Sequence, residues 1–350
     1  MISNPHGATF FAALNTHRGF VSYFREIFDK VETVYVIKGG SGTGKSRFMR
    51  EVSAEARARG YPVEEFLCSS DPGSLDGIII DRLGIAVLDG TAPHIHEPTL
   101  IGAREKFVDL SVFLDSLPLK SRKSEIERLI AQKSERYAEI YEYLKIVSIY
   151  DGIVRKTVFS VLDLEKMEKS VKKSLLWLGK SEKYEKRIRI RSAISCDGHI
   201  VLNTYAKKAK KCFALSDLCG LGNIYLAHLL SETEKAKISV EISYDPFAPD
   251  TPDALYYPDS GVAFYIGSEG DYEESTVNMR RFVDDDMLRP HKSEIRAIMR
   301  LRRDILEQMN YSFALIKNHH ASLESIYSAA MRFEDKERLT RDFISKIFPK

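Results

Sequence analysis

One short run of residues has the composition and spacing of a phosphate-binding loop. The run consists of Gly39, Gly40, Ser41, Gly42, Thr43, Gly44, Lys45 and Ser46. Glycines let consecutive backbone N–H groups approach phosphate oxygens closely, because no Cβ atom intervenes. We expect the Lys45 ammonium to reach the β- and γ-phosphates and the Ser46 hydroxyl to bind Mg²⁺. The run therefore predicts a site for ATP or GTP together with Mg²⁺.

The residues on both sides of this run predict the elements that would position it. Residues 33–37 are β-branched or aromatic and indicate a buried strand. After the run, apolar residues recur at helical spacing, at Phe48, Met49, Val52 and Ala56. A helix in this place directs its unsatisfied N–H groups and the positive end of its dipole at the anion. Strand, glycine-rich run and helix follow one another in the order that a P-loop requires.

A second segment predicts the carboxylate that a Mg²⁺–nucleotide site needs. Residues 85–88 are apolar and are followed directly by Asp89. This pattern is typical of a Walker B strand, in which the aspartate binds Mg²⁺ directly or through water. The next residue is Gly90, where many hydrolytic ATPases have a glutamate that activates water, so the pattern assigns no general base.

The chain resembles itself at a distance of about half its length. A shift of 178 places residues 33–52 on residues 211–230 without a gap. A shift of 177 relates residues 62–90 to residues 239–267. Farther along, the sequence of residues 123–126 recurs 169 residues later. Such repetition predicts two copies of one fold.

The second copy lacks the residues that would hold phosphate and magnesium. In the gapless alignment, Lys45, Ser46 and Asp89 are replaced by Asn223, Ile224 and Ile266. We therefore expect the first copy to bind nucleotide and the second to regulate or complete the first, or to serve as a scaffold. Asp76 recurs as Asp253 in the second copy, which favours a turn or cap role for Asp76 over a catalytic one.

Several motifs together resemble one protein family. They are the run 38–46, residues 68–71 (Cys-Ser-Ser-Asp), residues 74–77 (Ser-Leu-Asp-Gly) and residues 89–94 (Asp-Gly-Thr-Ala-Pro-His). The chain resembles, over most of its length, a poorly characterised bacterial family of tandem P-loop ATPases or nucleotide kinases. That resemblance implies a P-loop NTPase-like fold and nucleotide binding, but no particular substrate. Members commonly have an intact second loop, which here is the degenerate run 217–224.

These patterns predict an α/β fold in which a mainly parallel sheet is flanked by helices, duplicated in tandem, each copy followed by a helical segment. Amphipathic spacing predicts long helices over residues 118–147, 161–179, 293–331 and 338–347. The predicted divisions are residues 1–115 (P-loop domain), 116–183 (helical), 184–284 (degenerate copy) and 285–350 (helical).

Three functions fit this organisation. The leading one is an NTPase whose hydrolysis drives a conformational change; the others are a nucleotide or small-molecule kinase and a non-enzymatic, nucleotide-gated interaction protein. The helical segments could contact a protein partner or a second copy of the chain. A cation from outside the P-loop domain could neutralise the γ-phosphate, with Arg187, Arg281 and Arg289 as candidates.

Composition limits the remaining possibilities. The formal net charge of +2 in 350 residues gives no reason to expect nucleic-acid binding. No apolar run predicts a membrane span, and four scattered cysteines indicate reduced thiols, so we expect a cytoplasmic protein. His94 and His96 could bind a metal, or His94 could contact the γ-phosphate, but an ordinary loop is the favoured interpretation.

Overall fold

The structure is a computed structural model that describes residues 7–92, 97–267 and 274–348. Two α/β units follow one another along the chain, and a helical segment comes after each of them. Within these residues, no helix is both long enough and apolar enough to cross a membrane.

The first α/β unit is built on a six-stranded sheet. Its elements are β1 (Ala8–Phe11), β2 (Ala13–Thr16), β3 (Gly19–Ser22), α1 (Phe24–Phe28), β4 (Thr33–Lys38), α2 (Lys45–Ala58), β5 (Glu64–Leu67), β6 (Leu75–Ile80), β7 (Ile85–Asp89) and β8 (Glu105–Asp109). The strand order is β1-β5-β6-β7-β4-β8, and β2 and β3 form a separate hairpin. Neighbouring strands of the sheet are parallel except where β6 takes part.

The sequence predicts a mainly parallel sheet, but the sheet is mixed, because β6 is antiparallel to both of its neighbours. Residues 68–74 connect β5 to β6, and residues 81–84 connect β6 to β7. A connection between parallel neighbours needs a dozen or more residues, because the chain must return to the starting end of the sheet. Connections this short can only reverse the direction of the chain, so β6 runs against both neighbours.

The second unit repeats the first. The helices between the units are α3 (Ser116–Ser121), α4 (Lys123–Phe159) and α5 (Leu164–Ser174). The second unit consists of β9 (Lys186–Ile188), β10 (Ser192–Ser195), β11 (Gly198–Val201), α6 (Thr204–Lys208), β12 (Lys211–Ser216), α7 (Leu221–Lys235), β13 (Val240–Asp245), β14 (Ala248–Tyr257), β15 (Val262–Ile266) and β16 (Glu274–Asn278). Its strand order, β9-β13-β14-β15-β12-β16, corresponds to that of the first sheet, and β14 is the antiparallel strand. The predicted duplication and its α/β class are confirmed.

The two long helices of the helical segments pack against each other. The second segment contains α8 (Asp285–Leu288), α9 (Lys292–Ala329) and α10 (Phe333–Ile347). Helices α4 and α9 run in opposite directions, since Lys133 contacts His320 while Asp151 contacts Arg302. Their shared apolar cores contain Ile126, Leu129, Ile140, Leu144, Met309, Phe313, Ile316, Leu323 and Ile326.

The shorter helices are exchanged between the two halves. Helix α10 ends the chain, yet its Phe343 ring packs on the first unit, 4.7 Å from Tyr35 and 5.0 Å from Phe48 between ring centroids. Conversely, Met167 of α5 lies in the core of the second unit, and Ser174 hydrogen-bonds to the Tyr225 hydroxyl at 2.8 Å. Each α/β unit is therefore completed by a helix from the other half of the chain.

A further apolar cluster joins the two sheets directly. Phe11 at the end of β1 pairs with Ile190, and the Phe10 and Tyr205 rings lie 5.9 Å apart. At the edge of this cluster Arg189 forms an ion pair with Glu64 at 2.8 Å. Because these residues are buried by contacts between the units, neither unit has a complete core alone.

Candidate functional site

The predicted loop, residues 39–44, lies between β4 and α2. Gly42 and Gly44 have φ angles of +70° and +85°, which side chains other than glycine rarely adopt. A Cβ atom at Gly39 would lie 2.6 Å from the Thr43 hydroxyl oxygen, which donates to the Gly40 carbonyl at 2.9 Å. The glycines are therefore required by left-handed backbone at two positions and by close packing at a third.

Lys45, the first residue of α2, turns back over this loop. Its Nζ donates hydrogen bonds to the carbonyl oxygens of Gly39 at 3.0 Å and Gly40 at 2.8 Å. The same Nζ lies 3.6 Å from Oδ2 of Asp89, and the two side chains are only 12% and 13% exposed. The structure thus brings together the cation and the carboxylate that the sequence places 44 residues apart.

Asp89 ends β7, and Ser46, in the first turn of α2, contacts the start of the neighbouring strand β6. Asp89 is the last residue of β7, and it pairs in register with Ile37 on the strand that leads into the loop. Its Oδ1 accepts hydrogen bonds from Thr91, from the backbone N–H at 2.8 Å and the hydroxyl at 2.6 Å. The Ser46 hydroxyl oxygen accepts from the Leu75 N–H at 3.0 Å, where β6 begins.

Asp76 is a second carboxylate at this end of the sheet. Gly77 pairs with Leu88 across the antiparallel strands β6 and β7, so Asp76 comes level with Asp89. Asp76 is 3% exposed and lies inside a strand. Its interpretation as a turn or cap residue is therefore wrong.

Helix α9 covers the loop from the other half of the chain. A Cβ atom at Gly40 would lie 2.9 Å from the Tyr327 ring, and one at Gly42 would lie 2.5 Å from the Glu324 carbonyl oxygen. The Ser328 hydroxyl donates to the Gly42 carbonyl at 3.1 Å. The sequence does not predict this contact, because no local pattern indicates which unit α9 packs on.

Lys133 and His320 approach the site from α4 and α9. Lys133 Nζ donates to His320 Nδ1 at 3.3 Å, and His320 Nε2 lies 3.5 Å from a Glu324 carboxylate oxygen. Burial lowers the pKa of His320 to about 4, and the charge of Lys133 acts in the same direction, so the imidazole is neutral at pH 7. Burial also lowers the pKa of Lys133, and Lys45 acts in the same direction, whereas Cys68, Glu324 and Asp71 oppose it.

The corresponding loop of the second unit is shorter, and its N–H groups bind a carboxylate of the loop itself. Four residues, 217–220, separate β12 from α7, whereas six separate β4 from α2. The Asp217 carboxylate accepts hydrogen bonds from the N–H groups of Gly220 at 2.9 Å and Gly222 at 2.6 Å. A side chain of the loop thus occupies the N–H groups that would face a phosphate.

Contacts at the start of α7 correct the gapless alignment of the two copies by one residue. A Cβ atom at Gly222 would lie 2.9 Å from the Ile266 side chain, so Gly222 faces Ile266 as Lys45 faces Asp89. Asn223 donates to the Pro252 carbonyl at 3.2 Å, at the start of the strand that Ser46 contacts in the first unit. Gly222 and Asn223, rather than Asn223 and Ile224, therefore correspond to Lys45 and Ser46. The trio is missing in either alignment.

The predicted arginine candidates have partners elsewhere. Arg187 pairs with Glu185 at 3.0 Å, the Arg281 guanidinium lies over the Phe282 ring, and Arg289 pairs with Asp286. None of these contacts involves the loop or Asp89. His94 and His96 lie outside the described residues, and within those residues no group of three or more His, Cys, Asp or Glu side chains could hold a metal ion.

The fold and the site define a duplicated α/β protein with two six-stranded mixed sheets and a Lys45–Asp89 pair beside one glycine-rich loop. No protein-family model, curated protein or solved structure matches the chain.

Proposed function

We propose that the first α/β unit binds ATP or GTP with Mg²⁺ at residues 39–46 and hydrolyses it. The observation that carries this proposal is the position of Lys45, with its ammonium on the loop carbonyls and 3.6 Å from Asp89. An ammonium beside a glycine-rich loop and a helix N-terminus favours a polyphosphate, since all three attract anions. Membership of the tandem P-loop family stays a prediction.

The residues at this end of the sheet also suit magnesium. Ser46 and Asp89 supply a hydroxyl and a carboxylate oxygen, the ligand types that Mg²⁺ prefers alongside water and phosphate. When bound, Mg²⁺ would neutralise charge on the β- and γ-phosphates. The protein's own part is to orient the phosphates with the loop N–H groups and to hold Lys45 against them.

The contact between the loop and α9 favours hydrolysis coupled to movement. Gly40 and Gly42 touch Tyr327, Glu324 and Ser328 directly. Any change of the loop on binding or releasing phosphate must therefore be accommodated by α9. Because α9 packs along α4 between the two units, such a change would reach the second unit.

The test is calorimetric titration of the full chain with non-hydrolysable ATP and GTP analogues, with and without Mg²⁺. We expect one nucleotide per chain and about 10- to 100-fold weaker binding in Lys45→Ala, from the loss of a charge-assisted hydrogen bond. Lys120→Ala, at an exposed lysine of α3, is the matched control. Two nucleotides per chain, or unchanged binding in Lys45→Ala, would contradict the proposal.

Phosphate release then separates the three functions. Release of phosphate from ATP or GTP without an added acceptor supports hydrolysis. Release only when an acceptor is added indicates phosphoryl transfer, and tight binding without turnover indicates nucleotide-gated interaction.

A further inference from the structure

Helices α4 and α9 correspond to each other at a constant shift, and the pair they form flanks both loops. The shift of 169 that repeats residues 123–126 also relates Lys133 to Arg302 and Asp151 to His320. Beside the second loop, Arg302 donates to the Asp151 carboxylate at 2.7 Å and 3.2 Å. Beside the first loop, Lys133 donates to His320 at 3.3 Å. Each loop is thus flanked by a cation from one helix and its partner from the other.

The two sites differ in how their positive groups are neutralised. In the second unit a carboxylate satisfies each of them, Asp151 for the Arg302 cation and Asp217 for the loop N–H groups. In the first unit the residue in the place of Asp151 is the neutral His320, and the residue in the place of Asp217 is Gly39. Within the described residues no carboxylate forms an ion pair with Lys133.

We propose that Lys133 is the second cation of the nucleotide site and that it contacts the terminal phosphate of a nucleoside triphosphate bound at residues 39–46. This inference rests on the proposed function, and it assigns the role of the predicted Arg187, Arg281 or Arg289 to a lysine of α4. His320 positions the ammonium by accepting its hydrogen bond without cancelling its charge. A terminal phosphate would supply the negative charge that Asp151 and Asp217 supply in the second unit.

Physical chemistry supports placing the anion between Lys45 and Lys133. Partial burial of an ammonium is costly unless a counter-ion and hydrogen bonds compensate it. Burial has the largest influence on the pKa of Lys133 and lowers it, although Cys68, Glu324 and Asp71 act to raise it, so their compensation of the buried charge is incomplete. A bound phosphate would reverse the effect and would make a charge-assisted hydrogen bond with each lysine.

The experiment compares triphosphate and diphosphate affinities of the full chain by calorimetry, using a non-hydrolysable ATP analogue and ADP with Mg²⁺. We expect Lys133→Met to weaken triphosphate binding about 10- to 100-fold and ADP binding less than about 2-fold. Lys45→Met should weaken both ligands. Lys145→Met, at an exposed lysine of the same helix, should change neither.

A second variant keeps the test decisive if Lys133→Met does not fold. His320→Asp recreates the Arg302–Asp151 arrangement and should neutralise Lys133 in a chain that still folds, with the same loss of triphosphate preference. Lys133→Arg should retain the preference. If the wild type binds nucleotide but Lys133→Met and His320→Asp keep its triphosphate preference, or lose both ligands equally, Lys133 has no such role and the proposed function stands. If the wild type binds neither ligand, the proposed function fails and this inference fails with it.

Discussion

Exchange of the shorter helices α5 and α10 predicts that Phe343, in α10, stabilises the elements around the glycine-rich loop of the first unit. The Phe343 ring of α10 is 7% exposed and contacts Tyr35 on β4 and Phe48 on α2. Those two elements flank the loop on either side. Phe343→Ala should therefore destabilise the first unit, although 295 residues separate position 343 from Phe48.

The size of the effect follows from the buried ring. Truncation of a buried phenylalanine to alanine costs about 3–5 kcal/mol, from lost burial and from the cavity that remains. Since about 1.4 kcal/mol changes an equilibrium tenfold, local opening of β4 and α2 should become roughly 10² to 4 × 10³ times more frequent. Hydrogen exchange measured by mass spectrometry reports this opening peptide by peptide.

A reciprocal variant provides the control. Met167 of α5 is fully buried in the core of the second unit, so Met167→Ala should cost about 2–5 kcal/mol there. Its faster exchange should appear in β12 and α7 and spare β4 and α2. If Phe343→Ala instead accelerates hydrogen exchange in β12 and α7, α10 packs on the second unit. That result would refute the swapped arrangement of α5 and α10.

Three further variants test the loops and their surroundings. Asp217→Ala should lower stability by about 1–2 kcal/mol, the range for loss of a capping side chain, and we expect a lower Tm for the second unit. Gly42→Ala should lower the Tm more than Gly60→Ala does; both have positive φ angles, but only at Gly42 would a Cβ atom meet the backbone of α9. Burial and then the charge of Asp253 raise the pKa of Asp245 to about 6 from 3.8. Stability from this group is therefore present below pH 3.8 and is lost as pH rises to 6, so Asp245→Asn should raise the Tm at pH 8 relative to wild type and give little gain at pH 4.

The sequence was sufficient for features that depend on local patterns. The β-branched and aromatic run before residues 39–46 and the helical spacing of apolar residues after them predict the strand and helix that the structure describes as β4 and α2. The apolar run ending in Asp89 predicts β7, and the repeats predict the duplicated sheet. These predictions succeed because side-chain periodicity and glycine spacing are local patterns, which span only a few consecutive residues.

Features that depend on distant packing could not be predicted in this way. Periodicity alone ends the first long helix near residue 147, but α4 continues to Phe159 because Val154 and Val158 are buried against the second unit. Strand direction follows from connection lengths, and no pattern marked β6 as antiparallel. Lys133 looks like one lysine among many on a charged helix, and it becomes part of a candidate site only when α9 brings His320 beside it.

The asymmetry between the two loops gives a physical reason for the proposed difference in anion binding between the two units. A carboxylate attached to the loop acts at a very high effective concentration, because its position is fixed by the chain. Asp217 therefore satisfies the second loop permanently, and Asp151 does the same for the flanking Arg302. Because these groups are already paired with carboxylates, we expect the second unit not to bind phosphate. In the first unit the same positions hold Gly39 and a neutral His320. Lys45 is paired with Asp89, so under the proposed function it is Lys133 that a bound phosphate would neutralise. Under the proposed function, nucleotide binding in the first unit and its absence in the second would both follow from where these carboxylates stand.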